Sequence, residues 1–185
     1  MSTQDFYIIV WSGFEAGKTE FIRSVSDLGP GELPDEEVYY YQNGLAKVKI
    51  SRCAVDYGRV KIDNGVNLYL VTMPLPIRFD YPLLKPEVNV LGFVFIFDST
   101  NASAFNLNAA VLKIYRYFCN DIRPMPYVVA ASKQDHADAW GLEDLRIVLK
   151  VKKDEVLLPC NTHDKEHVKR VLLALLEVTK ETGFE

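Results

Sequence analysis

Apolar residues along the chain fall into short blocks separated by polar and Gly/Pro-rich segments, and their spacing alternates between strand-like and helical. Phe6-Tyr7-Ile8-Ile9-Val10-Trp11 is a continuous apolar run ending at Ser12-Gly13, which predicts a strand buried on both faces. From Lys18 the residues Phe21, Ile22 and Val25 repeat at helical spacing, and Gly29-Pro30-Gly31 ends that helix. Gly29 to about Gly44 reads as a loop, with an acidic cluster (Glu32, Asp35, Glu36, Glu37) and then Tyr39-Tyr40-Tyr41. Ordered connections of that length are usually functional.

Two strands are predicted next, Lys47 to Ile62 and Val66 to Val71, joined through Asp63-Asn64-Gly65. Asn-Gly between apolar runs marks a tight antiparallel hairpin, because the two-residue turn needs positive φ at both positions. Thr72 to Asn89 holds Pro74, Pro76, Pro82 and Pro86 and predicts a stiff loop. Val90 to Phe97 is a central strand, Ala102 to Tyr117 a helix, Tyr127 to Ala131 a strand, Leu142 to Leu149 a short helix and Glu155 to Pro159 the last strand. In the final helix Val168, Val171, Leu172, Leu175, Leu176 and Thr179 share one face. The alternation places the chain in the α/β class: a three-layer fold with a mostly parallel sheet of about six strands, one antiparallel edge hairpin, and helices on both faces. Residues 1–185 read as a single domain without repeats.

Composition narrows the function. At 49% hydrophobic and 25% charged the chain is built to fold compactly. A formal net charge of -4 gives no broad basic field, which argues against nucleic acid as a partner and leaves room for a small anionic ligand. Cys53, Cys119 and Cys160 are odd in number and form no Cys-x-x-Cys pair, as expected of reduced thiols in the cytoplasm. The longest apolar stretch, Val90 to Phe97, is too short to span a bilayer, and no secretory or lipidation signal is present, so no membrane anchor is expected.

Ser12-Gly13-Phe14-Glu15-Ala16-Gly17-Lys18-Thr19 lies between the first strand and the first helix, the context that the phosphate-binding pattern GxxxxGK[ST] requires. Gly17 lets the backbone turn its N–H groups inward, and the helix start adds the positive end of its dipole. Lys18 would bring a point charge to the terminal phosphates, and the Thr19 hydroxyl would hold a magnesium ion. Two features depart from the pattern. Ser12 replaces the first glycine, and Glu15 puts a like charge beside phosphates unless its side chain points to water.

Ala131-Ser132-Lys133-Gln134-Asp135 directly follows a predicted strand. With this segment the chain resembles the Ras superfamily of small GTPases, whose base motif reads Asn-Lys-x-Asp. Within it the chain is most similar to the bacterial and archaeal branch of the gliding-polarity GTPases and the GTP-binding proteins of actinomycete conservons. The shared text is Gly13-Phe14-x-Ala16-Gly17-Lys18-Thr19-x-Phe21, Asp56-Tyr57-Gly58-Arg59, Pro74-x-x-x-Arg78-Phe79 and Pro159-Cys160, and it covers nearly the whole chain. The resemblance implies GTP or GDP and Mg2+ as ligands, with nucleotide contacts from Gly13, Phe14, Glu15, Ala16, Gly17, Lys18, Thr19, Ser132, Lys133, Asp135 and Thr162, and with Thr19 on the metal. Its chemistry is specific. A carboxylate such as Asp135 accepts both guanine N1–H and the exocyclic amine, a donor pair that adenine lacks. Lys133 would lay its aliphatic stem along the base. Ser132 stands where the family has Asn, and a hydroxyl ties the loop less well than an amide. Asn161-Thr162-His163 falls at the family's last base-contacting loop, and a plain helix N-cap by Thr162 or Asp164 fits equally well.

The switch motifs of the family are altered. Its magnesium-binding switch I Thr falls on Arg52, which has no acceptor oxygen. Its Asp-x-x-Gly-Gln falls on Thr72-Met73-Pro74-Leu75-Pro76, so the acid, the glycine and the water-orienting glutamine are replaced by Thr72, Leu75 and Pro76. Asp98 is another acid near the carboxyl edge of the sheet, where it also suits a turn cap. Arg52 or Arg78 could act as an internal arginine finger. Losing these donors costs several kcal/mol of barrier, roughly a thousandfold in rate. The expectation is a guanine-nucleotide-binding protein with weak or absent hydrolysis that works as a regulatory interaction module. The alternatives are an active GTPase completed by a partner in trans and a nucleotide-free scaffold. By the resemblance, the protein partner would be a roadblock or longin-type protein on the switch face. Tyr39-Tyr40-Tyr41 would suit such a contact or pack beneath the loop.

Overall fold

The computed structural model describes residues 4–13, 15–28, 39–42, 46–49, 56–63, 65–72, 89–121 and 125–182, and for 39–42, 46–49 and 118–121 the backbone alone. In chain order the elements are β1 (Gln4–Ser12), α1 (Lys18–Val25), β2 (Tyr39–Gln42), β3 (Ala46–Lys49), β4 (Tyr57–Asp63), β5 (Val66–Thr72), β6 (Val90–Asp98), α2 (Phe105–Asp121), β7 (Tyr127–Ser132), α3 (Leu142–Val148), β8 (Leu157–Cys160) and α4 (Lys165–Glu181). A 3-10 turn, Ala102–Ala104, leads into α2.

One six-stranded sheet has the order β4-β5-β1-β6-β7-β8. All neighbours are parallel except the edge pair β4 and β5, which is the antiparallel hairpin expected from Asn64-Gly65. The strands alternate their side chains between two cores. Ile9, Trp11, Phe95, Phe97 and Val129 pack with Leu112 and Tyr115 of α2 and Leu145 of α3. Ile8, Val10, Val94, Ile96 and Val128 pack with Phe21 and Ile22 of α1 and with Val168, Val171 and Leu175 of α4. Burial on both faces is why these strands read as unbroken apolar runs. No helix among the described residues is long and apolar enough to cross a membrane.

One expectation needs correction. Lys47 to Ile62 is not a single strand: Ala46–Lys49 pairs antiparallel with Tyr39–Gln42 in a separate two-stranded sheet, while Tyr57–Asp63 pairs with β5. The tyrosine run, expected in a loop, is β2. Aromatic residues favour extended backbone, and here that preference outweighs the glycine-rich and acidic flanks.

The segment Asp56-Tyr57-Gly58-Arg59 fastens β4 to α1. A Cβ on Gly58 would sit 2.5 Å from Ile22 Cγ2, so only glycine admits this approach of helix to strand. Arg59 N–H donates to Ser26 Oγ at 3.2 Å and Arg59 Nε to Asp27 at 3.0 Å. On the other face the rings of Tyr57, Tyr69 and Tyr7 form a row, with centroids 5.3 Å apart at each step, Tyr7 stacked on Tyr69 and Tyr57 tilted against it.

Candidate functional site

Because β1, β6, β7 and β8 are parallel neighbours, the loops leaving their carboxyl ends meet at one edge of the sheet. Open α/β sheets bind ligands in such a crevice. The loop after β1 enters α1 through Gly17, whose φ of 90° and ψ of 23° are left-handed. Ala16 is buried, and Lys18 opens the helix. Ser12, in the place of the missing glycine, donates its hydroxyl to the Gly13 carbonyl at 2.8 Å. A Cβ on Gly13 would lie 3.3 Å from Asn108 Oδ1, a buried acceptor with no partner among the described residues, so α2 closes the back of the loop. Phe14 lies outside the described residues.

Glu15 holds φ at 57°, left-handed for a residue with a side chain, and it is exposed. Lys133 does the same at 58°. Two of the three such non-glycine residues among the described chain therefore lie here. Strain of this kind collects at functional sites.

At the end of β7, Ser132 is buried and its hydroxyl donates to the Phe97 carbonyl at 3.2 Å, tying β7 to β6. Lys133 Nζ reaches Asp98 Oδ2 at 2.6 Å. Asp98 also caps its own turn, accepting from Thr100 N at 2.9 Å and Thr100 Oγ1 at 2.7 Å on the other carboxylate oxygen. Burial would raise the Asp98 pKa, but the hydrogen bonds from Lys133 and Thr100 outweigh it and hold the carboxyl below its ordinary value. Asp135 is exposed in the next turn, which is pinned by Gln134 Nε2 donating to the Trp140 carbonyl at 2.9 Å.

After β8, Thr162 is buried against the loop that follows β1: a Cβ on Gly17 would meet its Oγ1 at 2.6 Å. Asp164 is the N-cap of α4 and accepts from Glu166 N and His167 N. The N-cap expected at Thr162 or Asp164 is thus Asp164. The three loops enclose a cavity of about 420 Å3. Glu15, Gly17 and Glu20 line it from the first loop and α1, Lys133, Asp135 and His136 from the second, and Asn161, Thr162 and His163 from the third. The volume lies within the range of small-molecule sites.

In the first turn of α1, Thr19 Oγ1 donates to Asp56 Oδ2 at 2.7 Å. Asp56 stands opposite Thr72, the end of β5: Asp56 N–H donates to Thr72 Oγ1 at 2.8 Å, and Thr72 N–H donates to the Asp56 carbonyl at 3.0 Å. Residues 73–88, with Leu75, Pro76 and Arg78, and also Arg52, lie outside the described residues. A hydroxyl and a carboxylate are hard oxygen donors of the class that magnesium takes, through one or two carboxylates plus phosphate oxygens. The donor set therefore fits that ion. No group of three or more His, Cys, Asp or Glu among the described residues could hold a metal by itself.

Fold and crevice together define the class: this is the three-layer P-loop fold of the small GTPases. Among solved structures the chain is similar to the Arl6 BBS3 small GTPase from Trypanosoma brucei with bound nucleotide analogue GppNp, at a TM-score of 0.65 and 16% identity over 96% of this chain and 99% of that one. No protein-family model matches the sequence, and no curated protein does.

Of the residues expected at the site, Glu15, Gly17, Lys133, Asp135 and Thr162 come together around one cavity. Thr19 faces Asp56 instead, and Ser132 is engaged with the backbone of β6. Sequence reasoning gave no role to Asp56 or Asn108. Asp56 belongs to the shared text, but only strand register places it beside Thr72.

Proposed function

We propose that the chain binds guanine nucleotide, with the loop from Gly13 to Thr19 on the phosphates, Lys133 and Asp135 on the base, and magnesium at Thr19, and that it hydrolyses GTP slowly or not at all. The observation that supports this most is the packing of Thr162 on Gly17 in a cavity shared with Lys133 and Asp135, which brings the base motif next to the phosphate motif. The weak-hydrolysis part rests on the sequence, where Leu75 and Pro76 stand at the glycine and glutamine positions of the family's motif. In this reading the protein works in the cytoplasm as a regulatory module that binds a roadblock or longin-type partner through its switch face.

The test begins with protein denatured after purification and its released nucleotide identified by chromatography, followed by calorimetric titration with GDP and ADP. GDP is expected to bind and ADP not, and Asp135→Asn to abolish the preference. Unchanged affinity in that variant would refute base recognition. Single-turnover hydrolysis with and without a candidate partner then separates a weak enzyme from one completed in trans.

The cavity lining favours one second reading, a nucleotide-free scaffold. Glu15, Glu20 and Asp135 face a space with Lys133 as the one lysine or arginine among its described lining residues. An absence of bound nucleotide, together with no heat on GDP titration, would select it.

A further inference from the structure

We propose that Asp56 is the acid of a divalent-cation site on this chain, taking the place of the carboxylate that the sequence lacks at Thr72. The inference deepens the nucleotide-binding reading and rests on it. Its basis is strand geometry. β4 runs antiparallel to β5, so the residue preceding β4 arrives at the same sheet edge where β5 ends. Two backbone-anchored hydrogen bonds fix Asp56 directly opposite Thr72, through Thr72 Oγ1 at 2.8 Å and the Asp56 carbonyl at 3.0 Å. An acid moved from the end of one strand to the head of its neighbour thus stays beside the first turn of α1.

The side chain points at the right partner. Asp56 Oδ2 lies 2.7 Å from Thr19 Oγ1, the hydroxyl of the phosphate loop's own metal ligand position. Two neighbouring oxygens of an octahedral magnesium shell, each at 2.0–2.1 Å from the ion, stand about 2.9 Å apart. The observed pair, joined by a hydrogen bond of 2.7 Å, is close enough for both oxygens to reach one ion once the Thr19 proton turns away. Thr72 becomes a positioning residue, its hydroxyl holding the Asp56 backbone rather than touching the ion. A carboxylate so close to the phosphate loop repels a polyphosphate unless a cation sits between them. The site should consequently make nucleotide binding depend on magnesium.

The experiment measures GDP affinity by calorimetry for the full chain and for Asp56→Asn, with excess magnesium chloride and with EDTA. The ratio of the two affinities is expected to fall by about 10- to 100-fold in the variant. Affinity should drop in magnesium and hold or rise in EDTA, because the repulsive carboxylate is gone. A merely structural role would weaken both together, and that result, or an unchanged ratio, overturns the proposal. For the unsubstituted protein labelled with 13C-aspartate, Mn2+ with GDP should broaden the Asp56 carboxyl resonance beyond detection, and a sharp signal would again overturn it. If the unsubstituted chain binds GDP in neither buffer, the nucleotide reading itself fails and takes this inference with it. Binding that ignores Asp56 defeats the inference alone.

Discussion

Lys133 and Asp98 are joined end to end across β6 and β7, with the ammonium 2.6 Å from a carboxylate whose side chain is only 8% exposed. Asp98 is both things that its sequence context allowed, a turn cap and an acid at the sheet edge. Its two oxygens divide the work, one for Thr100 and one for Lys133. Lys133 lines the cavity with its ammonium paired in this way.

Asp98→Asn keeps an acceptor for Thr100 and removes the ion pair. Hydrogen bonds to charged groups contribute about 1.5–3 kcal/mol, so GDP affinity should fall about tenfold or more if the pinned Lys133 supports the base. Calorimetric titration measures it. An unchanged Kd would show that the ammonium's position does not matter to the ligand.

Glu15→Gly should stabilise the chain and tighten GDP binding. The left-handed φ of 57° costs a side-chain-bearing residue about 1–2 kcal/mol, partly offset by glycine's extra freedom when unfolded. The substitution also removes a carboxylate from the cavity wall. A rise in Tm with a lower Kd is the expected outcome, and a higher Kd would mean that Glu15 helps to hold the ligand.

Gly17→Ala combines a φ of 90° with a Cβ placed 2.6 Å from Thr162 Oγ1. The backbone cost alone is about 1–2 kcal/mol, and the overlap adds to it. Gly17→Ala/Thr162→Ala should recover the overlap but not the backbone cost. Chemical denaturation of the single and double variants should give a coupling of about 0.5 kcal/mol or more, as for residues in contact.

Acid should unfold the protein through two partly buried carboxylates. For both Asp98 and Glu155, burial raises the pKa but is outweighed. Lys133 and Thr100 do this at Asp98, and Arg116, Tyr127 and the Lys152 N–H do it at Glu155. Folded values below the unfolded ones mean that their stabilisation is complete above the unfolded carboxyl range, near pH 4, and is lost as pH falls through the folded values. Calorimetric Tm should be nearly flat from about pH 5 to 7 and fall below about pH 4. Asp98→Asn/Glu155→Gln should flatten that fall.

Much of this site was legible along the chain because its parts are local. Gly17 needs a positive φ, Lys18 and Thr19 open a helix, and Lys133 and Asp135 follow a buried strand, so each motif carries its own geometry. The tyrosines of β2 and the separate β2-β3 pair were not legible, because an alternating or aromatic segment does not say which strand it will join. The role of Asp56 was hidden for a related reason. Counting outward from the turn, where Asp63 pairs with Val66, would set Asp56 against Met73, but an irregularity between Lys61 and Asp63 shifts the register so that Tyr57 pairs with Val71 and Asp56 meets Thr72.

The sequence by itself determined the α/β alternation, the hairpin and the two candidate motifs, since apolar period, glycine placement and side-chain chemistry act over a few residues. Only the tertiary structure decided that Lys133 pairs with Asp98, that Thr162 packs on Gly17 and that Asp56 stands between Thr19 and Thr72. Those contacts join residues at least 16 positions apart. Their distances are set by strand order and register, which depend on the packing of the whole sheet.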